Sequence, residues 1–217
     1  EAMLSLNPIS THMAEDLMSW IDTISYEKSS GYLKSLYDRI KDTNDNIDNI
    51  MVAHSLRPHT LEAHLRIYKN VLHHRDNRLP KWYLETIGLY VSLINNCSYC
   101  AEHHFEGIIR LLNNKDLCNR LKTSLMKRTP ETFFEGNHLA GLNYAYKLTV
   151  APDEMREQDI KDLRVSGFDD GEILEINQVT GYFAYANRTV LGLGINTDGD
   201  TLGLSPSSDD PDDLSHG

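Results

Sequence analysis

Apolar residues recur every three to four positions through most of the 217-residue chain, and no stretch alternates in the period-two manner of a strand. The fold class this predicts is all-α. An amphipathic helix is expected over Thr11 to Trp20. A second follows Ser29-Ser30 and carries Tyr32, Leu33, Leu36, Tyr37 and Ile40 at helical spacing. A third, around Asn46 to Leu56, should stop before Pro58, because the residue preceding a proline is pushed out of helical geometry. A fourth opens at Pro58 or His59 and runs to about His74. "RDNRLP" reads as a loop, with Pro80 suited to the first turn of the next helix. That helix, Lys81 to about Ile94, is apolar nearly all round and should therefore be central. "NN" then breaks the chain, with Asn96 a good cap for a helix from Cys97 to about Asn113. Further helices are expected at Lys115 to Met126, Pro130 to Thr149, Met155 to Val165 and Asp170 to Leu193, the last preceded by the turn-and-cap sequence "SGFDDGEI".

Composition sharpens this picture in three ways. The hydrophobic content of 40% and charged content of 24% are those of a globular protein able to bury a core. The absence of any run of about 18 apolar residues argues against a membrane span, and the first residues do not read as a signal peptide. The net charge of −11 argues against nucleic acid and anionic membranes as partners. Much of that charge is local: six Asp fall between 195 and 217, with no Lys or Arg. The expected organisation is one helical domain over residues 1–194 and an acidic tail over 195–217 that reads as loop or disorder. Three cysteines, Cys97, Cys100 and Cys118, are too few for a disulfide scaffold and suit a reducing, cytoplasmic location.

The chemistry concentrates in Asn95 to His104, "NNCSYCAEHH". On one helix Cys97, Cys100 and His104 fall within an arc of roughly 60°, with His103 well off that face. Two cysteines in the first turn of a helix meet its unpaired N–H groups and dipole, which favour a thiolate. They also sit close enough to form a reversible disulfide, and a histidine one turn on can exchange a proton with Cys100. Glu85 is the one acidic residue in "WYLETIGLYVSLI". On a continuous helix it would lie about 18 Å from Cys97. If "NN" is a hairpin turn instead, Glu85 and His104 come level on adjacent antiparallel helices, and a buried carboxylate there suits a proton relay. Other readings of the pair are two buried thiols, a redox-sensing module, or a zinc clip completed by His54, His73 or His74. Cys118 reads as a packed small side chain. His73, His74 and His103 read as solvated surface, and Asn187-Arg188 as a tie between helix ends or an interface.

Glu85, Cys97, Cys100 and His104, at this spacing, resemble the active-site signature of the AhpD-like alkylhydroperoxidases of the carboxymuconolactone decarboxylase superfamily. The flanks "HSLRPHTLEAHLRIYKNVLHH" and "YFAYANRTVLGLGI" resemble the peroxidase-related subgroup, and the likeness covers roughly Ile50 to Ile195. The resemblance implies an all-α bundle with a central antiparallel hairpin carrying the cysteines, in a homo-oligomer. It implies that Cys100 attacks a hydroperoxide to give a sulfenic acid, that Cys97, nearer the surface, resolves it as a disulfide, and that Glu85 and His104 relay the proton. The substrate would be hydrogen peroxide or an organic hydroperoxide, and the reductant a thiol or lipoyl-type dithiol. No cofactor or metal is required. The sequence departs from the well-studied members at Tyr99, where they carry a further active-site histidine. A decarboxylase or lactone-acting enzyme of the same superfamily is the enzymatic alternative, and would not need the cysteine pair.

Overall fold

The computed structural model describes residues 18–42, 44–204 and 213. Among them lie nine α-helices and no strand: α1 (Gly31–Ile40), α2 (Asn49–Ala53), α3 (Pro58–Tyr68), α4 (Lys81–Ile94), α5 (Ser98–Leu112), α6 (Lys115–Met126), α7 (Gly136–Val150), α8 (Glu157–Val165) and α9 (Asp170–Leu193). Short 3₁₀ turns at Pro130–Thr132 and Pro152–Glu154 flank α7. Of the helix expected over Thr11 to Trp20, residues 11–17 lie outside the described residues, and 18–21 form a bend.

The apolar α4 is the centre of the molecule. Every residue from Tyr83 to Ser92 is buried, and the helix packs against α5, α7 and α9. An apolar surface running right round a helix can be satisfied only by neighbours on all sides. α9 supplies the longest of them. Asp169 and Glu172 cap its start reciprocally, and Gly194, at φ +61°, ends it. α4 and α9 approach so closely that a Cβ on Gly88 would sit 2.2 Å from the Phe183 ring.

Several boundaries differ from the sequence expectations, each for a local reason. The helix expected over Pro130 to Thr149 is divided, because Gly136 takes a left-handed φ of +56° that starts α7 afresh. The helix expected to run on to about His74 changes its winding. After Tyr68 the chain makes one π-helical turn, Lys69–His73, which turns Lys69, Leu72 and His73 into the interior. Such wide turns rotate the following side chains relative to the α-helical face, and here the residue rotated inward is a histidine.

The described part of the C-terminal tail is loop, as expected, but it is packed. The Asn49 side-chain amide donates to the carbonyls of Asn196 (2.9 Å) and Asp198 (3.0 Å). Arg110 on α5 donates to the carbonyls of Leu202 (2.9 Å) and Gly203 (2.6 Å). Gly203 passes so near α5 that a Cβ would lie 2.7 Å from the Cβ of Glu106. Lys69, from the π turn, donates to the carbonyl of Asp213.

Candidate active site

The α4–α5 turn determines the geometry of the cysteines. Asn96 adopts φ +56°, the Asn96 N–H reaches the Leu93 carbonyl (3.3 Å), and the Cys97 N–H reaches the Ser92 carbonyl (2.9 Å). This is a Schellman turn, with Asn in the left-handed position usually held by glycine. Asn96 therefore closes α4 rather than capping α5. Cys97 takes the cap position, and Cys100 follows at the third helical position. The chain reverses, and Glu85 of α4 faces His104 of α5 as the hairpin reading requires. Glu85 Oε2 and His104 Nδ1 are 2.6 Å apart.

The two sulfurs stand 2.7 Å apart as free thiols. Their environments push them in opposite directions. The Cys97 thiol is held below its ordinary value, chiefly by the hydrogen bond from Cys100, with the Asn187 amide helping. The Cys100 thiol is pushed well above its ordinary value by burial and by the adjoining Cys97 sulfur. Of the two, Cys97 is the thiol that gives up its proton more readily. Both cysteines are buried, and only Cys100 lines the adjacent cavity.

That cavity, of about 200 Å³, lies between α3, the π turn, α5, α9 and the C-terminal segment. Its walls include Cys100, His104 and Glu85, together with Tyr68, Tyr182 and Phe183. The Phe183 ring meets the His104 ring edge-on, with centroids 4.5 Å apart, and fixes its plane. Burial, reinforced by Glu85 at Tyr68 and by Cys100 at Tyr182, holds both phenols well above their ordinary value, so they stay neutral donors. No helix among the described residues is long and apolar enough to cross a membrane. Nor do three or more His, Cys, Asp or Glu side chains among them gather to hold a metal ion.

Three groups that the sequence reading set aside belong to this site, together with Asn187, which it read as a tie between helix ends. His73, read as solvated surface, is buried, and its Nε2 lies 3.4 Å from Glu85 Oε1 and 3.0 Å from the Tyr68 hydroxyl. Glu85 is thus clasped between two imidazoles. His103, also read as surface, is buried and reaches Asp200 Oδ2 at 3.2 Å. Asp200 itself, assigned to a solvated acidic tail, is a buried carboxylate. It accepts from the Tyr99 hydroxyl (2.7 Å) and from the Asn49 backbone N–H (2.9 Å). Asn187, completely buried, accepts from Asn95 (2.9 Å) and donates to Ser92 (3.1 Å), tying α9 to the turn that holds the cysteines. His74 is half-buried and outside the cavity, and Cys118 is buried in the core, as expected of a packed side chain.

No protein-family profile matches the chain, and no curated protein matches it. Solved structures do. An uncharacterised peroxidase-related protein from Ralstonia eutropha JMP134, described as an alkylhydroperoxidase AhpD core, superposes with a TM-score of 0.72 at 20% identity, over 83% of this chain and 92% of that one. The chain has the AhpD-like fold. A peroxidase-related protein from Silicibacter sp. TM1040 shares this AhpD-like fold, with a TM-score of 0.67 at 24% identity, over 88% and 94% of the two chains. So does the debrominase Bmp8, with a TM-score of 0.64 at 14% identity, over 85% and 93%. The fold alone does not say which chemistry this chain performs, and the side chains of the site must.

Proposed function

We propose that the protein is a thiol-dependent peroxidase that reduces hydrogen peroxide or organic hydroperoxides through Cys100 and Cys97. The observation that carries this reading is the 2.6 Å contact between Glu85 and His104 on the cavity that Cys100 lines, with Cys97 held 2.7 Å behind it. The opposite displacement of the two thiols supports giving them different parts. His104, oriented by Glu85, takes the Cys100 proton when the peroxide is in place. The Cys100 thiolate attacks one peroxide oxygen, the S–O bond forms, the O–O bond breaks, and the departing oxygen leaves as alcohol or water after gaining a proton. Cys97, the sulfur that gives up its proton more readily, then attacks the Cys100 sulfenic acid. The S–S bond forms, the S–O bond breaks, and the departing hydroxide takes up one proton and leaves as water. A dithiol of the lipoyl type would return both sulfurs to the thiol state by exchange.

Intact-mass thiol counting with peptide mapping, before and after one equivalent of tert-butyl hydroperoxide, tests the reading. The expected outcome is loss of two alkylatable thiols and a Cys97–Cys100 disulfide. Cys97→Ser should stop at a sulfenic acid on Cys100, and Cys100→Ser should not react. Three free thiols unchanged by peroxide would overturn the proposal.

A further inference from the structure

Cys100 is followed on the next turn by two cavity-lining histidines. Residues three and four apart are neighbours on a helix, so His103 stands about 60° to one side of Cys100 and His104 about 40° to the other. Both line the cavity. Each is backed by a buried carboxylate, from different parts of the chain and through different ring nitrogens. His104 meets Glu85 through Nδ1, and His103 meets Asp200 through Nε2. The nitrogen turned away from the carboxylate is therefore Nε2 in His104 and Nδ1 in His103. The second pair is longer, 3.2 Å against 2.6 Å, but is held from several sides. The Asp200 side chain is 2% exposed and also accepts from Asn49 N–H and Tyr99 OH, while the Tyr99 ring lies 4.6 Å from that of His103.

We propose, resting on the peroxidase reading above, that His103 is a second proton-transfer residue. It acts as the general acid for the departing oxygen, with Asp200 as its positioning residue. Displacement at a peroxide is in line: the incoming sulfur and the departing oxygen lie on opposite sides of the oxygen transferred. The base that takes the sulfur's proton is thus not beside the oxygen that needs one. In its imidazolium form His103 donates from both nitrogens, one to Asp200 and one into the cavity. The proton on Nδ1 passes to the departing oxygen as the O–O bond breaks, giving the alcohol and neutral His103. The proton taken from Cys100 stays on His104. The two protons exchange with solvent before the next turnover, and no redox equivalent beyond the peroxide and the thiol is involved.

A general acid is needed in proportion to the basicity of its leaving group. The test is therefore the single-turnover oxidation of the full chain by tert-butyl hydroperoxide, which expels a strongly basic alkoxide, and by peroxybenzoic acid, which expels a weakly basic carboxylate. For His103→Gln the ratio of the hydroperoxide rate to the peracid rate should fall by about 10²-fold, the size of a general-acid contribution. Asp200→Asn should move the ratio the same way, and Asp200→Glu should restore part of it. If both rates fall together and the ratio keeps its wild-type value, His103 only supports the cavity and the proposal is wrong. Should Asp200→Asn fail to fold, the His103→Gln ratio decides alone. A wild-type chain oxidised by neither reagent overturns the peroxidase reading first, a result visible before any variant is made.

Discussion

The contact between two sulfurs 2.7 Å apart makes each thiol's titration depend on the other. In a Cys118→Ser background, ultraviolet thiolate absorbance should show one thiol titrating below and one above the usual cysteine range. Cys100→Ala should bring the remaining Cys97 back toward its ordinary value, because the hydrogen bond that lowers it is the one removed. His104→Ala should slow the reaction with peroxide by about 10²-fold or more in single-turnover measurements, and an unchanged rate would rule out the relay. His54 gives a stability prediction. Burial holds its imidazole below the ordinary value, and its Nδ1 donates to the Ile50 carbonyl at 2.7 Å. The folded state therefore prefers the neutral ring, while the unfolded chain gains a proton as the pH falls past about 6.5. The stability contributed by neutral His54 is complete above that pH and is lost as the pH falls through the lower folded value. Urea midpoints should drop on acidification across this window, and His54→Gln should flatten the drop.

At the level of elements, the sequence was a good guide where contacts are local and a poor one where they are not. Cys97, Cys100 and His104 share one helical face by spacing alone, and Glu85 could be brought to them because the "NN" turn offered a hairpin. α4, α6 and α9 have the bounds their periodicity predicts. His73 was misread because a π turn shifts the helical phase, and a regular 100° wheel carries no sign of it. His103 was judged from Cys97, about 120° away, rather than from Cys100, about 60° away. Asn187 was legible as a tie between helix ends, but which end it ties depends on packing between α9 and a turn 92 residues earlier. The same packing gives a direct test. Gly88→Ala would drive a methyl group into the Phe183 ring, which has no room to yield because it is fully buried. Overpacking of this kind costs about 1–3 kcal/mol. Thermal unfolding should show that loss, and peroxide reactivity should fall with it, because the displaced ring is the one that holds His104 in plane.

At the scale of the whole molecule, the site is assembled from distant stretches of chain, α9 among them with Tyr182 and Phe183. The α4–α5 hairpin brings the sulfurs, Glu85 and His104. α3 and its π turn bring Tyr68 and His73, and the segment after α9 brings Asp200, Gly203 and Leu204. Removing residues 196–217 should open the cavity. Alkylation of Cys100 by N-ethylmaleimide should then accelerate sharply, while Cys118, in the core away from this wall, keeps its wild-type rate and reports that the fold survives. Equal acceleration at both thiols would mean general loosening instead.

The late position of that wall also bears on the chain as it is being made. Asp200 comes 101 residues after Tyr99, with which it bonds, and so about as long after the two thiols. At ribosomal speeds of about 5–20 residues per second, the cysteines wait roughly 5–20 s for the segment that covers them. During that interval the hairpin exists only as nascent chain with its sulfurs open to any oxidant in the cell. Newly synthesised molecules should therefore be the population in which this pair is most readily oxidised.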